Sequence, residues 1–81
     1  MGYAYRTNDG ELQIWRDDEC IYRRAAGEPW AAGWTHNATE IEIARFEEDG
    51  HLRADLEAIA PGNHYTLPPD VVVSLPWGSR G

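Results

Sequence analysis

Apolar and polar residues alternate through the first quarter of the chain, a pattern typical of strands with one buried face. Residues 2–16 are predicted to form a β-hairpin, because Asn8-Asp9-Gly10 in the middle favours a tight reversal. A second, acidic turn follows at 17–19, and residues 20–24 have the composition of a third strand. Three strands joined by two short turns make a meander, about the smallest sheet that is stable on its own.

The middle of the chain also alternates, and here the polar positions are acidic. Ile41 and Ile43 are separated by single glutamates, which predicts a half-buried strand. The carboxylates of Glu40 and Glu42 would then both face solvent, about 6–7 Å apart. A regular row of negative charge resembles a nucleic-acid backbone, which carries one charge per about 3.4 Å on each strand of a duplex. An acidic face kept for solubility is the simpler alternative.

The segment 51–60 fits two patterns. Leu52, Leu56 and Ile59 are spaced as on one face of a helix, which Asp49 would cap and a Pro-Gly pair would end. Every second residue is also apolar, so the same segment could pair as a strand across the preceding Asp-Gly turn. Its content of Ala, Leu, Glu and Arg favours the helix.

Two irregular or apolar segments complete the prediction. Residues 25–37 include a proline and two glycines, and Trp30 and Trp34 are expected to close one end of the sheet or to form an aromatic platform for a sugar, a base or a partner chain. Residues 71–75 are apolar and mostly β-branched, which predicts a buried last strand. The predicted fold is α+β, a single compact domain over 1–81 with an antiparallel β-sheet of four or five strands and one helix at 51–60; an all-β fold with a strand at 51–58 is the alternative.

Charge decides which partners the surface suits. The chain has 14 Asp and Glu against 7 Arg and no Lys, a formal net charge of −7. Residues 1–37 carry six acids and four bases, and residues 38–81 carry eight acids and three bases. Such a surface repels phosphates, so direct nucleic-acid binding and an anionic membrane are disfavoured and a basic protein is the expected partner. The residues expected to contact it are Asp17, Asp18, Glu19, Glu40, Glu42, Glu47, Glu48, Asp49, Asp55 and Glu57, with Trp30 or Trp34 as an aromatic anchor.

The sequence shows no sign of catalytic or metal chemistry. His36, His51 and His64 have no metal-ligand spacing, and no nucleophile or phosphate-binding motif occurs. A single cysteine, Cys20, excludes an intrachain disulfide, and its acidic neighbours would raise the pKa of the thiol. The chain is therefore expected to be a non-enzymatic protein without cofactor or metal. The lack of a signal peptide or long apolar run predicts a cytoplasmic location.

Through residues 39–50 especially, the chain resembles the small acidic anti-CRISPR proteins carried by phages and mobile elements, and more narrowly those that inhibit the type I effector complex Cascade. Those proteins share size and charge more than sequence, so no family residue transfers to a position here. The resemblance implies a DNA-mimicking acidic face that occupies the basic DNA channel of a Cascade subunit and blocks target DNA binding. Blocking of nuclease recruitment is a second mode.

Two further classes fit the sequence without that resemblance. The first is an acidic interaction module, such as an antitoxin-like neutraliser of another basic protein. The second is a ligand-binding module that uses the tryptophans. Substitution of Trp30 and Trp34 would abolish binding in the second class, whereas charge reversal would not.

Overall fold

The computed structural model describes residues 2–68, which form one antiparallel sheet with two helices on one side. The sheet has four strands, which lie in the order β3 (Glu19–Arg24), β2 (Leu12–Arg16), β1 (Gly2–Arg6) and β4 (His64–Thr66). This is an α+β fold, as predicted. The predicted last strand at 71–75 lies outside the described residues. The elements are β1 (Gly2–Arg6), β2 (Leu12–Arg16), β3 (Glu19–Arg24), a 3-10 turn (Trp30–Gly33), α1 (Glu40–Glu48), α2 (Gly50–Glu57) and β4 (His64–Thr66).

The meander of β1, β2 and β3 is confirmed, and its two turns lie where turn residues occur in the sequence. Gly10 closes the first turn at φ +94°, a conformation that favours glycine. Asp17 opens the second turn at φ 54°, which aspartate tolerates better than most residues. The β2–β3 register shifts between Ile14 and Trp15, so Ile21 becomes an extra buried residue in β3.

The short strand β4 was not predicted. It follows a turn in which Gly62 has φ +85°, and it pairs antiparallel with β1, placing Tyr3 opposite Thr66 and Tyr5 opposite His64. Three residues are too few to produce a recognisable alternation, and β4 is held by its neighbours in space rather than by its own pattern. It places a histidine and a threonine beside the tyrosines of β1.

The predicted strand around Ile41 and Ile43 is wrong, because Glu40–Glu48 is an α-helix. Thr39 begins it with a capping box, in which its hydroxyl accepts from the Glu42 amide while the Glu42 carboxylate accepts from the Thr39 amide. The buried side of α1 is formed by Glu42 and Phe46, four residues apart, whereas Ile41 is 53% exposed. The alternation of isoleucine and glutamate therefore does not reflect a buried and an exposed face.

The helical alternative for 51–60 is confirmed as α2, and the all-β alternative is wrong. Asp49 caps it as predicted, since its carboxylate accepts from the Leu52 amide at 2.9 Å. Asp49 is also the residue that ends α1, so the two helices share one capping residue and have no linker between them. Leu52 and Leu56 bury the inner side of α2.

The hydrophobic core lies between the helices and one face of the sheet, and its aromatic end is closed by the segment after β3. The Tyr22 ring is fully buried, and its hydroxyl donates to the carbonyl of Trp30 at 2.6 Å. A Cβ on Gly33 would lie 2.5 Å from that ring, so only glycine fits there. Trp30 and Trp34 pack partly buried against the core, in agreement with their predicted closing role. The buried core residues are Ala4, Leu12, Ile14, Ile21, Tyr22, Phe46, Leu52, Leu56, Ile59 and Leu67.

Candidate protein-binding surfaces

Glu42, predicted to lie on the acidic surface, is instead buried, with 1% of its surface exposed. Helical geometry turns it inward, where its carboxylate lies 2.6 Å from Nη1 of the buried Arg16 on β2. A buried carboxylate requires such a partner, because desolvation of an unpaired charge costs several kcal/mol. Glu42 therefore attaches α1 to the sheet and is unavailable to a binding partner.

Two acids of α2 also have partners within the fold. Glu57 holds Arg24 of β3 with two parallel contacts of 2.6 Å each, although its own side chain remains 43% exposed. The hydrogen bonds from Arg24 lower the pKa of the Glu57 carboxyl. Asp55 accepts a hydrogen bond from the Tyr65 hydroxyl at 3.3 Å. Both carboxylates reach solvent, but their charges are already partly compensated.

The junction of α1 and α2 gathers the predicted acids 47–49. Glu47 accepts from the Trp30 indole at 2.9 Å and lies 3.6 Å from the Arg53 guanidinium. Asp49 is occupied by its capping role. Glu48 is exposed and has no hydrogen-bond or ion-pair partner among residues 2–68. Of these three neighbouring acids, only Glu48 has no structural task.

Arg16, the last residue of β2, bridges the start of β3 and the beginning of α1. Its Nη2 pairs with Glu19, the first residue of β3, while its Nη1 holds the carboxylate of α1 described above. Asp18 and Glu40 are exposed, and neither has a polar partner in the described part of the chain. Glu19, distant in sequence from α1, therefore lies on the same side of the sheet as the first turn of that helix.

We define the α1 face by the exposed residues Glu40, Ile41, Ala44 and Glu48; the exposed Arg45 and Glu47 border it on either side. At 100° per residue the residues that define it fall within about 100° of the helix circumference, opposite the buried side. Glu40 and Glu48 are about 12 Å apart along the axis, from a rise of about 1.5 Å per residue. Ile41 and Ala44 lie between them, so the face has an apolar centre with a carboxylate at each end.

Among residues 2–68, the exposed aromatic ring of Tyr3 is on the opposite side of the sheet, where sequence reasoning did not place a site. Tyr3 is 37% exposed, and its ring lies parallel to that of Trp15 within 4°, with centroids 6.3 Å apart. On its other side Tyr3 is 6.0 Å from His64, which in turn is 4.7 Å from Tyr5. Trp15 stands at a position of β2 where the alternation predicts a polar, outward-facing residue. A tryptophan at such a position was the feature of the sequence that could have indicated an aromatic surface here.

Trp30 and Trp34 do not form the exposed platform that the sequence left open. They pack against each other and against Tyr22 with ring centroids 4.5–5.8 Å apart. Trp34 also contacts Phe46 of α1 at 5.7 Å, and its indole nitrogen is buried. Both rings therefore serve mainly the core, and neither presents a free face comparable to Tyr3.

Cys20 and the histidines show no reactive arrangement. Cys20 is half-buried in β3, and burial, with a smaller contribution from the charge of Glu11, raises the pKa of its thiol. Among residues 2–68 no group of three or more His, Cys, Asp or Glu side chains is placed to hold a metal ion. No helix in that part of the chain has the length and apolar character needed to cross a membrane.

Comparison with protein-family models, with curated proteins and with solved structures gave no match.

Proposed function

We propose that this protein is a non-enzymatic inhibitor that binds a basic, nucleic-acid-contacting surface of a partner through the α1 face. The partner that the sequence resemblance favours is the type I Cascade complex in the cytoplasm of a bacterial host. Binding would cover a Cascade subunit lining the DNA channel and prevent target DNA from entering. The proposal requires neither a cofactor nor a metal.

One observation carries the proposal: the α1 face combines an exposed isoleucine with carboxylates that the fold does not use. Ile41 is the most exposed large apolar side chain among residues 2–68. Glu40 and Glu48 have no partner in the same part of the chain. Protein interfaces typically have an apolar centre and a polar rim, and free carboxylates on that rim would pair with lysine or arginine.

The structure changes the form of mimicry that is proposed. A strand with carboxylates about 6–7 Å apart would have copied successive phosphates, but Glu40 and Glu42 are on a helix and only the first is exposed. The remaining free charges are about 12 Å apart on α1, and Glu19 is linked through Arg16 to the first turn of that helix. We therefore propose competition for basic residues of the channel rather than imitation of a phosphate row.

The test is target DNA binding by purified type I Cascade with and without this protein. Glu40→Gln/Glu48→Gln removes two charges from the α1 face. The matched control Asp9→Asn/Glu28→Gln removes two charges from exposed residues on loops elsewhere. We expect the native protein and the control to block DNA binding, and the α1 variant to lose about tenfold or more in inhibitory potency, with inhibition weakening as salt is raised.

Other outcomes would redirect the proposal. Binding to Cascade that leaves DNA binding intact would replace DNA exclusion by blocked nuclease recruitment. A failure to bind Cascade at all would refute the named target and leave an acidic interaction module, such as an antitoxin-like neutraliser. Equal loss in the α1 variant and the control would show that net charge, not the α1 face, governs binding.

A further inference from the structure

The side of the sheet that faces away from the helices carries a continuous row of aromatic rings across three strands. We call it the open face and define it by Tyr3, Tyr5, Gln13, Trp15 and His64. The ring of Trp15 on β2 is parallel to that of Tyr3 on β1, and His64 on β4 lies within 6.0 Å of Tyr3 and 4.7 Å of Tyr5. Neither α1 nor α2 covers this row, because both pack on the other face against the core.

Polar side chains on the open face are hydrogen-bonded to one another. The Trp15 indole donates to the Gln13 amide oxygen at 2.9 Å, and the Gln13 amide nitrogen donates to Glu11 at 3.0 Å. Arg23 on β3 donates to the same carboxylate. This series of hydrogen bonds fixes the orientation of the indole. It also occupies the polar groups that a bound sugar would need for hydrogen bonding. Tyr3 and His64 are exposed and Trp15 is half-buried, so part of the ring surface is accessible.

Acidic turns border the open face at both ends of β2. Asp17 and Asp18 follow the end that carries Trp15, and Asp9 precedes the other end; all three are exposed. Aromatic faces attract cations through their quadrupole, and nearby carboxylates add to that attraction. The same carboxylates repel phosphates, which disfavours a nucleic acid stacked on these rings.

We propose that the open face is a second binding surface, which takes arginine side chains from an extended basic segment of a partner protein. A guanidinium is planar and stacks on aromatic rings, and tyrosine and tryptophan supply such rings at low entropic cost. The residues that would contact it are Tyr3 and Trp15, with the exposed Asp18 in the turn that follows β2. This surface is independent of the α1 face and does not require that Cascade be the target.

The test is an amide and indole NMR titration of the isolated protein, at near-physiological salt, with a capped Gly-Arg-Val-Arg-Gly peptide. The matched ligand replaces both arginines by citrulline, which keeps the shape and removes the charge. We expect the arginine peptide to shift the Trp15 indole signal and the amides of β1, β2 and β4, and the citrulline peptide to bind several-fold more weakly. Tyr3→Leu and Trp15→Leu should each weaken binding about two- to fivefold, whereas Tyr3→Phe, which keeps a ring, should not.

Several results would overturn the proposal. Shifts confined to the α1 face would mean that the peptide is attracted only by net charge. Equal binding of the citrulline peptide, or a Phe variant as weak as the Leu variant, would exclude recognition of a cation by the rings. Contacts in the free protein between Tyr3 and residues 69–81, or self-association through the rings, would show that another part of this chain or a second copy covers the open face. None of these measurements depends on Cascade.

Discussion

Glu40 and Glu42 are two residues apart on α1, yet one is exposed and free while the other is buried against Arg16. We expect Glu42→Ala to lower the free energy of unfolding by about 3 kcal/mol, because it leaves Arg16 with less compensation and breaks the capping box. The matched change Glu40→Ala should stay within about 0.5 kcal/mol. Chemical denaturation measures both, and equal effects would contradict the helical placement of this pair.

Tyr22 gives the molecule a predicted sensitivity to alkali. Burial raises the pKa of its hydroxyl from 10.0 to about 12. Between these values the unfolded chain loses the proton while the folded chain keeps it, so the free energy of unfolding should fall as pH rises from about 10 to about 12.

The variant that isolates this effect is Tyr22→Phe. It removes the hydrogen bond to the Trp30 carbonyl, which should cost about 1 kcal/mol at neutral pH, and it should reduce the alkaline slope. Some slope should persist, because burial also raises the pKa of Tyr65. Urea denaturation at several alkaline pH values measures the slope, and an unchanged slope in the variant would contradict the assignment.

At the scale of elements, the strands and helices that the sequence predicted correctly are those in which the hydrophobic pattern and the turn or capping residues indicate the same structure. The meander of β1 to β3 followed from alternation interrupted by Asn-Asp-Gly and by an acidic turn, and the helix α2 followed from leucine spacing. The helix α1 was missed because its isoleucines alternate with glutamates. The signal that would have corrected it was Thr39 three residues before Glu42, since a capping box marks a helix start in sequence.

The candidate surfaces were less predictable than the elements, because exposure depends on packing between distant segments. Trp15 lies at a polar position of the β2 alternation and Trp30 begins the 3-10 turn, so composition alone does not show which ring faces solvent. The pairing of Arg24 with Glu57, 33 residues apart, is equally invisible in a local pattern. Contacts of this kind determine which acidic residues stabilise the fold and which remain accessible to a partner.

The docking of α2 onto β3 should depend on acid pH through Glu57. Arg24 lowers the pKa of this carboxyl below its ordinary 4.5, so the pair stabilises the fold above about that pH, and this stability is lost as pH falls through the folded-state pKa. We expect Glu57→Gln to reduce the acid loss of stability, and Glu28→Gln, which removes the same charge from an exposed loop, to retain it. Acid titration followed by circular dichroism measures both variants.

At the scale of the whole molecule, the net charge of −7 predicts a stabilising effect of salt. The paired acids are compensated locally, whereas the exposed ones repel one another at low ionic strength, where the Debye length is about 30 Å at 0.01 M. We expect the melting temperature to rise between about 0.01 and 0.15 M NaCl. A variant carrying Asp18→Asn, Glu28→Gln, Glu40→Gln and Glu48→Gln should show a smaller rise, and an equal rise would assign the effect to other charges.

Because α1 and α2 share a single capping residue, the connection between them cannot gain or lose a residue without disturbing both helices. Asp49 ends one helix with φ −100° and ψ 86° and caps the next, so an added residue would break the cap and turn one helix against the other. The loop between β3 and the 3-10 turn contains exposed residues 25–29; it holds one turn, in which the Glu28 amide donates to the Ala25 carbonyl, but no residue there caps two helices. In a library of single-residue insertions, positions 48–50 should therefore be intolerant and positions 25–28 permissive, which makes that loop the place to attach a tag or a reporter.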